Sequence, residues 1–197
     1  MKRILGSVSA FLAVAALAVL PAAAHTVVYE ATLSPLNESP PATGSLGSGF
    51  ARVTIDLDIF SMRVEANFAD LSGNTTAAHI HCCLVPAGPP NVGVATTFPN
   101  FTDFPLGVKL GTYDHTFDLT QASSFNPTFV AGFPDLGTAM NAFLNGLANN
   151  ATYFNIHSSS FQGGEIRGFL HAVPEPGSVA LVALGLAALA AARRRSA

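Results

Sequence analysis

Apolar and polar side chains alternate with a period of two in the first segment after residue 24. Tyr29, Ala31 and Leu33 would share one face of a strand, whereas Glu30 and Thr32 would share the other. Because successive side chains of a strand point to opposite faces, this pattern is typical of a strand with one buried face. We therefore predict a β-strand over this segment.

Two later segments repeat the alternation and are separated by the short link Ile59–Ser61. Their apolar positions are Val53, Ile55 and Leu57 in the first, and Met62, Val64, Ala66 and Phe68 in the second. The short link predicts that the two segments pair as an antiparallel hairpin. Further strands are predicted over residues 151–157 and 164–172, which close the domain.

One segment has the helical period instead. Apolar side chains recur at spacings of three and four, at Leu136, Ala139, Met140, Phe143, Leu144 and Leu147. Asp135 is placed to cap the start of a helix, and Asn149 with Asn150 is placed to end it. Such an apolar stripe predicts a short helix that covers an open side or end of the β core.

Residues 86–112 contain five prolines and no sustained periodicity, so we expect an ordered surface excursion there. The number of strands and the spacing of turns favour an all-β fold, either an antiparallel sandwich or a flattened barrel, with one short peripheral helix. The two hydrophobic ends of the chain are expected to form targeting helices that flank this domain.

The first 24 residues have the three regions of a secretory signal peptide. Lys2 and Arg3 precede an uncharged run over residues 4–20, and Pro21 leads into three alanines. We therefore exclude residues 1–24 from the fold and assign residues 25–172 to the β domain. The expected consequence is export across the inner membrane.

Residues 173–197 carry a second targeting signal. Pro174, Glu175 and Pro176 precede an apolar stretch over residues 178–192, which ends in three arginines. This combination resembles the PEP-CTERM sorting signal, and the resemblance implies recognition by an exosortase-type protease, with the helix holding the chain in the membrane until processing. The alternative is a plain C-terminal membrane anchor. The expected destination is the cell envelope or the extracellular space.

The charge of the domain excludes one class of partner. Residues 25–173 contain four basic and eleven acidic residues, a formal charge of −7. Such a domain repels phosphate backbones, so we predict no nucleic-acid binding.

The two cysteines, Cys82 and Cys83, are adjacent. Export makes a vicinal disulfide chemically accessible, although neighbouring Cα atoms lie closer than most disulfides prefer. Two small buried thiols and ligation of a soft metal are the alternatives.

Three histidines occupy predicted strands. In His79-Ile80-His81 a strand would turn both imidazoles to one face and Ile80 to the core, and Ile156 with His157 follows the same logic. If the two strands are neighbours, the three rings converge at the sheet surface. Three neutral imidazoles suit Zn²⁺ or Cu²⁺.

Besides a direct contact of the histidines with a ligand, two interpretations of this cluster stay open. In the first, Glu165 or Cys82 completes the coordination of a metal, which could be redox-active. In the second, the histidines form a structural polar network with Asn155, Glu165 and Arg167, in which carbonyls and carboxylates satisfy the ring nitrogens.

Several motifs resemble the successive blocks of CHRD (chordin-type) domains. They are Tyr29–Leu33, Asn37–Pro41, Ala77–His81, Tyr153–His157 and Gly164–Gly168. The resemblance implies a β-sandwich-like extracellular module without an established enzymatic activity. The first functional hypothesis is therefore a non-enzymatic binding or matrix module, with extracellular polysaccharide or matrix proteins as partners. The alternative is a metal-binding protein that uses His79, His81 and His157.

Overall fold

A computed structural model describes residues 25–85, 90–173 and 184–185. The predicted signal peptide, the sorting motif Pro174–Pro176 and most of the apolar stretch after it lie outside these residues. Within the described ranges, no helix combines the length and the apolar character that a membrane span needs.

The described residues form two antiparallel sheets with eight strands. The strands are β1 (Thr26–Leu33), β2 (Ser48–Asp56), β3 (Ser61–Ala69), β4 (Thr75–Cys82), β5 (Gly111–Asp118), β6 (Thr152–Ser158), β7 (Ile166–Phe169) and β8 (His171–Val173). The five-stranded sheet has the order β5-β3-β2-β1-β8, and the three-stranded sheet has the order β4-β6-β7. Helices α1 (Pro127–Val130) and α2 (Leu136–Ala148) lie between β5 and β6. The predicted all-β sandwich with a short helix is confirmed.

The core lies between the apolar faces of the two sheets. The predicted inward faces of β1, β2 and β3 are buried at Tyr29, Ala31, Leu33, Val53, Ile55, Met62, Val64, Ala66 and Phe68. The predicted hairpin is confirmed, because β2 pairs antiparallel with β3 and places Val53 opposite Val64. Leu57 differs from the prediction, because β2 ends at Asp56 and leaves the Leu57 side chain in the turn, partly exposed.

The prediction of a single strand over residues 164–172 is wrong. The segment contains two strands in different sheets, since β7 pairs with β6 whereas His171 of β8 pairs with Glu30 of β1. Leu170 lies between the two strands and is fully buried. A period of two reports which face of a strand is buried but carries no information about the sheet it joins.

The predicted surface excursion also needs correction. Ala95, Phe101 and Phe104 are buried, and the ring of Phe101 stacks near the rings of Phe117 and Phe154, with centroids 5.4 and 5.6 Å away. The chain then enters β5, an edge strand on β3 that the sequence analysis missed. Apolar side chains held by an aperiodic backbone leave no repeating signal, so this part of the core was not visible in the pattern.

Helix α2 has the predicted bounds and cap. The Asp135 carboxylate accepts a hydrogen bond from the Thr138 backbone N–H at 2.7 Å, which satisfies one free donor of the first turn. Ala139, Phe143 and Leu147 are buried against the sandwich. The predicted role of a cover over the β core is therefore confirmed.

The two cysteines lie beneath this helix. In the structure their sulfur atoms are bonded to each other, and the peptide between Cys82 and Cys83 is cis. The Cys82 side chain is buried in the core cluster, and Gly146 of α2 packs directly over both sulfur atoms. A methyl group at position 146 would overlap the Cys82 sulfur.

Replacing Gly146 with alanine is therefore expected to destabilise the fold by about 1 to 3 kcal/mol, because the helix must move away from the disulfide. Urea denaturation measures the change. Gly137→Ala is the matched control on the same helix, since its added methyl group would lie 3.5 Å from the nearest atom, the Asp135 Oδ1. The control should be neutral or stabilising by up to about 1 kcal/mol. Equal stabilities of the two variants would contradict the close packing at Gly146.

Candidate metal centre

Strands β4 and β6 place three histidines on one face of the three-stranded sheet. They pair antiparallel, with Ala77 opposite His157, and with His79 and His81 opposite Asn155 and Tyr153. Directly opposite residues share a face, so the three imidazoles lie together. We call this side, which points away from the sandwich core, the histidine face.

The opposite side of the same strands points into the core. Ile80 and Ile156 are both fully buried there, as the alternation predicts. These apolar neighbours fix the orientation of the histidine-bearing strands, because a slip of one residue would bury imidazoles in the core and expose the isoleucines.

The three rings converge on one point. One ring nitrogen from each of His79, His81 and His157 lies within 4.8 Å of the other two. The Nε2 atoms of His79 and His157 are 2.9 Å apart. The ring centroids of His79 lie 4.7 Å from those of both other histidines.

The sequence predicts a site at the sheet surface, but in the structure other segments cover the histidine face. His79 is only 4% exposed, and the rings of His81 and His157 are half-buried. The covering segments supply the partners of the Nδ1 atoms: His79 bonds the Pro99 carbonyl at 3.0 Å, His81 that of Val92 at 2.6 Å and His157 that of Gln162 at 2.8 Å.

These carbonyls fix the tautomer of each ring. A carbonyl oxygen can only accept a hydrogen bond, so every Nδ1 carries the proton and every Nε2 carries a lone pair. The facing Nε2 atoms of His79 and His157 then have no proton between them. The Nε2 atom of His81 is buried and has no hydrogen-bond partner among the described residues. The facing lone pairs of His79 and His157 therefore have no donor between them, and the lone pair on the adjoining His81 ring has none either.

The histidine rings do not gain a second proton at neutral pH, so protonation does not supply the missing donor. Burial, together with the neighbouring imidazoles, lowers the pKa of His79 to about 3. Burial also lowers the pKa of His81 to about 4, although its bond to the Val92 carbonyl opposes the shift. The pKa of His157 is lowered by burial as well. The three rings are consequently neutral at pH 7, which is the form that binds metal ions.

The sequence was compared with models of known protein families. A model of the CHRD domain matches residues 29–170, more than half of the chain. The chain belongs to the CHRD domain family. A model of the PEP-CTERM protein-sorting motif matches residues 172–195, which marks the protein for exosortase-type processing and for export and envelope sorting in bacteria. No curated protein and no solved structure gives a significant match.

The two further ligands considered for this CHRD domain lie elsewhere. The buried Glu165 carboxylate accepts hydrogen bonds from the Ser45 hydroxyl and from the backbone N–H groups of Ser72 and Gly73. Cys82 is disulfide-bonded and faces the core, opposite to the histidines. Among the described residues, neither belongs to the group of converging donors.

Arg167 extends the polar character of the histidine face. It lies opposite Asn155 on β7, donates to the Asn91 side-chain oxygen at 2.8 Å and pairs with Glu38 at 3.8 Å. Its guanidinium carbon is 4.6 Å from the Tyr153 ring centroid. Tyr153 in turn stacks on His81, with centroids 4.5 Å apart. Arg167, Asn155 and the histidines therefore share one face, whereas Glu165 has separate partners.

Glu38 is a further candidate site residue, which the sequence pattern did not indicate. Its side chain is almost fully buried beside Arg167, and burial raises its pKa to about 7, against the opposing charge of Arg167. Its Oε1 atom and the Asn155 Oδ1 atom are buried without partners among the described residues. Glu38 belongs to an irregular loop rich in proline and glycine, so no periodic signal indicated its burial.

Proposed function

We propose that this exported, envelope-sorted CHRD protein binds one transition-metal ion, Zn²⁺ or Cu²⁺, through the Nε2 atoms of His79, His81 and His157. The observation that carries the proposal is the convergence of three neutral imidazoles, one buried and two half-buried, whose Nδ1 atoms are occupied and whose Nε2 lone pairs have no donor. A cation at the point of convergence supplies the partner that all three nitrogens lack.

The distances fit a small metal ion. Metal–nitrogen bonds of about 2.0 to 2.1 Å at tetrahedral angles place ligand nitrogens about 3.4 Å apart. Here two Nε2 atoms are 2.9 Å apart and all three donors lie within 4.8 Å, so small ring movements bring them to that spacing. A carbonyl bonded to Nδ1 is also the usual outer partner of a metal-bound histidine, since it orients the ring and increases the basicity of Nε2.

The donor types select the metal class. Imidazole nitrogen suits zinc, copper and nickel, whereas calcium and magnesium require oxygen ligands. Of the two proposed ions, Cu²⁺ is expected to bind more tightly, because affinities of nitrogen sites rise to Cu²⁺ and fall again at Zn²⁺.

Elemental analysis of protein purified without an affinity tag tests this proposal. We expect about one zinc or copper ion per chain after incubation with the metal and removal of excess. His157→Gln should weaken binding by at least about tenfold, and the pair His79→Ala, His81→Ala should abolish it. His171→Gln is the control, since His171 is exposed and lies outside the converging group.

Two outcomes would contradict metal binding. One is a folded wild-type protein that retains no metal from a metal-supplemented buffer. The other is a folded double variant that retains as much metal as the wild-type protein. Circular dichroism of each variant separates loss of the site from loss of the fold.

A role as a non-enzymatic binding or matrix module is compatible with metal binding and has its own support. The loop between β1 and β2 exposes Leu36 and Leu46 at 76% and 84% of their surface. We infer that these side chains contact an extracellular polysaccharide or matrix protein. Replacing both leucines with serine should reduce surface adhesion or matrix retention of cells that produce the protein. Unchanged adhesion in both this variant and a gene deletion would exclude the matrix role.

A further inference from the structure

We propose that the metal held by the three histidines keeps one coordination position open, which water or hydroxide occupies and small anions take up. This inference rests on the proposed metal binding and extends it from storage of an ion to a reactive or ligand-binding centre. Three protein donors and one exchangeable ligand are the arrangement found in catalytic rather than structural zinc sites.

Among the described residues, three protein ligands converge on the histidine face. The group of His, Cys, Asp and Glu donors that converge among the described residues contains only His79, His81 and His157. Glu165 is held by Ser45 and by two backbone N–H groups at a different place. The Cys82 sulfur lies on the core side of β4 and is bonded to Cys83. A tetrahedral ion held by these three nitrogens therefore needs a fourth ligand, which no other His, Cys, Asp or Glu of the described residues supplies.

The local charge favours an anion at that position. Three neutral imidazoles leave both positive charges of a divalent ion uncompensated. The guanidinium of Arg167 adds positive potential, since its carbon lies 4.6 Å from the centroid of the Tyr153 ring that stacks on His81. The carboxylate of Glu38 is committed to Arg167 at 3.8 Å rather than to the histidines. Hydroxide or another small anion is the ligand that restores the charge balance in this partly buried environment.

The cover over the site restricts the external ligand to a small one. The backbone segments that carry Val92, Pro99 and Gln162 contact the Nδ1 edges of the rings, on the side away from the converging Nε2 atoms. His79 is nearly inaccessible, whereas His81 and His157 are half-buried, so we expect a ligand to approach beside these two residues. Because the His81 Nε2 atom is itself buried, the opening suits water or a small anion rather than a large molecule.

The chemistry of the bound water follows from the charge. A divalent ion held by His79, His81 and His157 would favour the loss of one proton from a coordinated water to solvent, with no change in the oxidation state of the metal. Zinc in a three-histidine site lowers the pKa of such a water to about 7. A nucleophilic hydroxide is therefore available near neutral pH, and an anion that binds the metal displaces it.

Titration of the Cu²⁺-loaded full-length protein with sodium azide tests the open position. We expect a saturable azide-to-copper charge-transfer absorption in the near ultraviolet and a matching change in the copper electron paramagnetic resonance spectrum, with one azide per copper. His25→Ala, also loaded with Cu²⁺, is the control, because His25 is an exposed imidazole that could hold copper adventitiously near Asp58. This variant should respond to azide as the wild-type protein does.

The outcomes separate the two proposals. Stoichiometric copper binding with spectra that azide leaves unchanged would overturn the open position and leave the metal site intact. An azide response that disappears in His25→Ala would assign it to copper at His25 and likewise overturn the inference. Failure of the folded protein to bind copper or zinc at all would overturn the proposed function and this inference with it.

Discussion

Replacing Phe101 with alanine is expected to lower the free energy of unfolding by about 3 to 5 kcal/mol, although no regular element contains this residue. Phe101 is fully buried, and its ring lies within 6 Å of the rings of Tyr113, Phe117 and Phe154. Truncation would leave a cavity between the two sheets that the neighbouring rings fill only in part. Urea denaturation of the metal-free protein measures the loss.

The same substitution is expected to weaken metal binding. Phe101 anchors the segment that carries the Pro99 carbonyl, which orients the His79 ring. Loss of such an outer partner typically reduces metal affinity about 10- to 100-fold. Phe98→Ala is the control on the same segment, because Phe98 is 59% exposed and its loss should change the stability by less than about 0.5 kcal/mol. A loss below about 1 kcal/mol in Phe101→Ala would show that the segment is not part of the core.

Metal-free protein in which Glu38 is replaced by glutamine is expected to lose roughly 4 to 5 kcal/mol of stability between pH 6.5 and pH 4.5. The pKa values of His79 and His81 are lowered in the folded protein from 6.5 to about 3 and about 4. The unfolded chain therefore binds protons in this window while the folded protein does not. Acid consequently favours the unfolded state, and this contribution disappears only above about pH 7.5, where the unfolded histidines are also neutral.

Glu38 acts in the opposite direction in the wild-type protein. Burial raises its pKa from 4.5 to about 7, so the folded protein binds this proton first and gains stability as the pH falls through the same window. The wild-type protein should therefore lose only about half as much stability as Glu38→Gln between pH 6.5 and pH 4.5. Thermal denaturation at a series of pH values measures both curves. Parallel curves for the two proteins would contradict the buried, protonated state of Glu38.

The sequence predicts those parts of the fold whose side chains repeat with a regular period. Strands β1, β2 and β3, their hairpin and helix α2 with its Asp135 cap follow directly from alternation, helical spacing and capping chemistry. It does not reveal that the last predicted strand divides at Leu170 between two sheets. It also does not reveal β5 or the buried position of Phe101, because tertiary contacts fix them without any local repeat.

The candidate site could likewise be predicted from the sequence only in part. The common face of His79, His81 and His157 could be predicted, because these residues lie on strands with inward-pointing isoleucines. Their burial could not, since the cover consists of backbone carbonyls from aperiodic segments, and any residue type can supply a carbonyl. The burial of Glu38 beside Arg167 likewise depends on a long-range contact between an irregular loop and β7.

Anomalous diffraction from crystals of the untagged protein, grown with Zn²⁺ or Cu²⁺ and measured at the absorption edge of that metal, tests the central claim most directly. The account predicts one strong anomalous peak about 2.0 to 2.1 Å from the Nε2 atoms of His79, His81 and His157. Metal binding at this site would be contradicted by crystals in which the three rings have the described geometry but the anomalous peak is missing or lies at another group of residues.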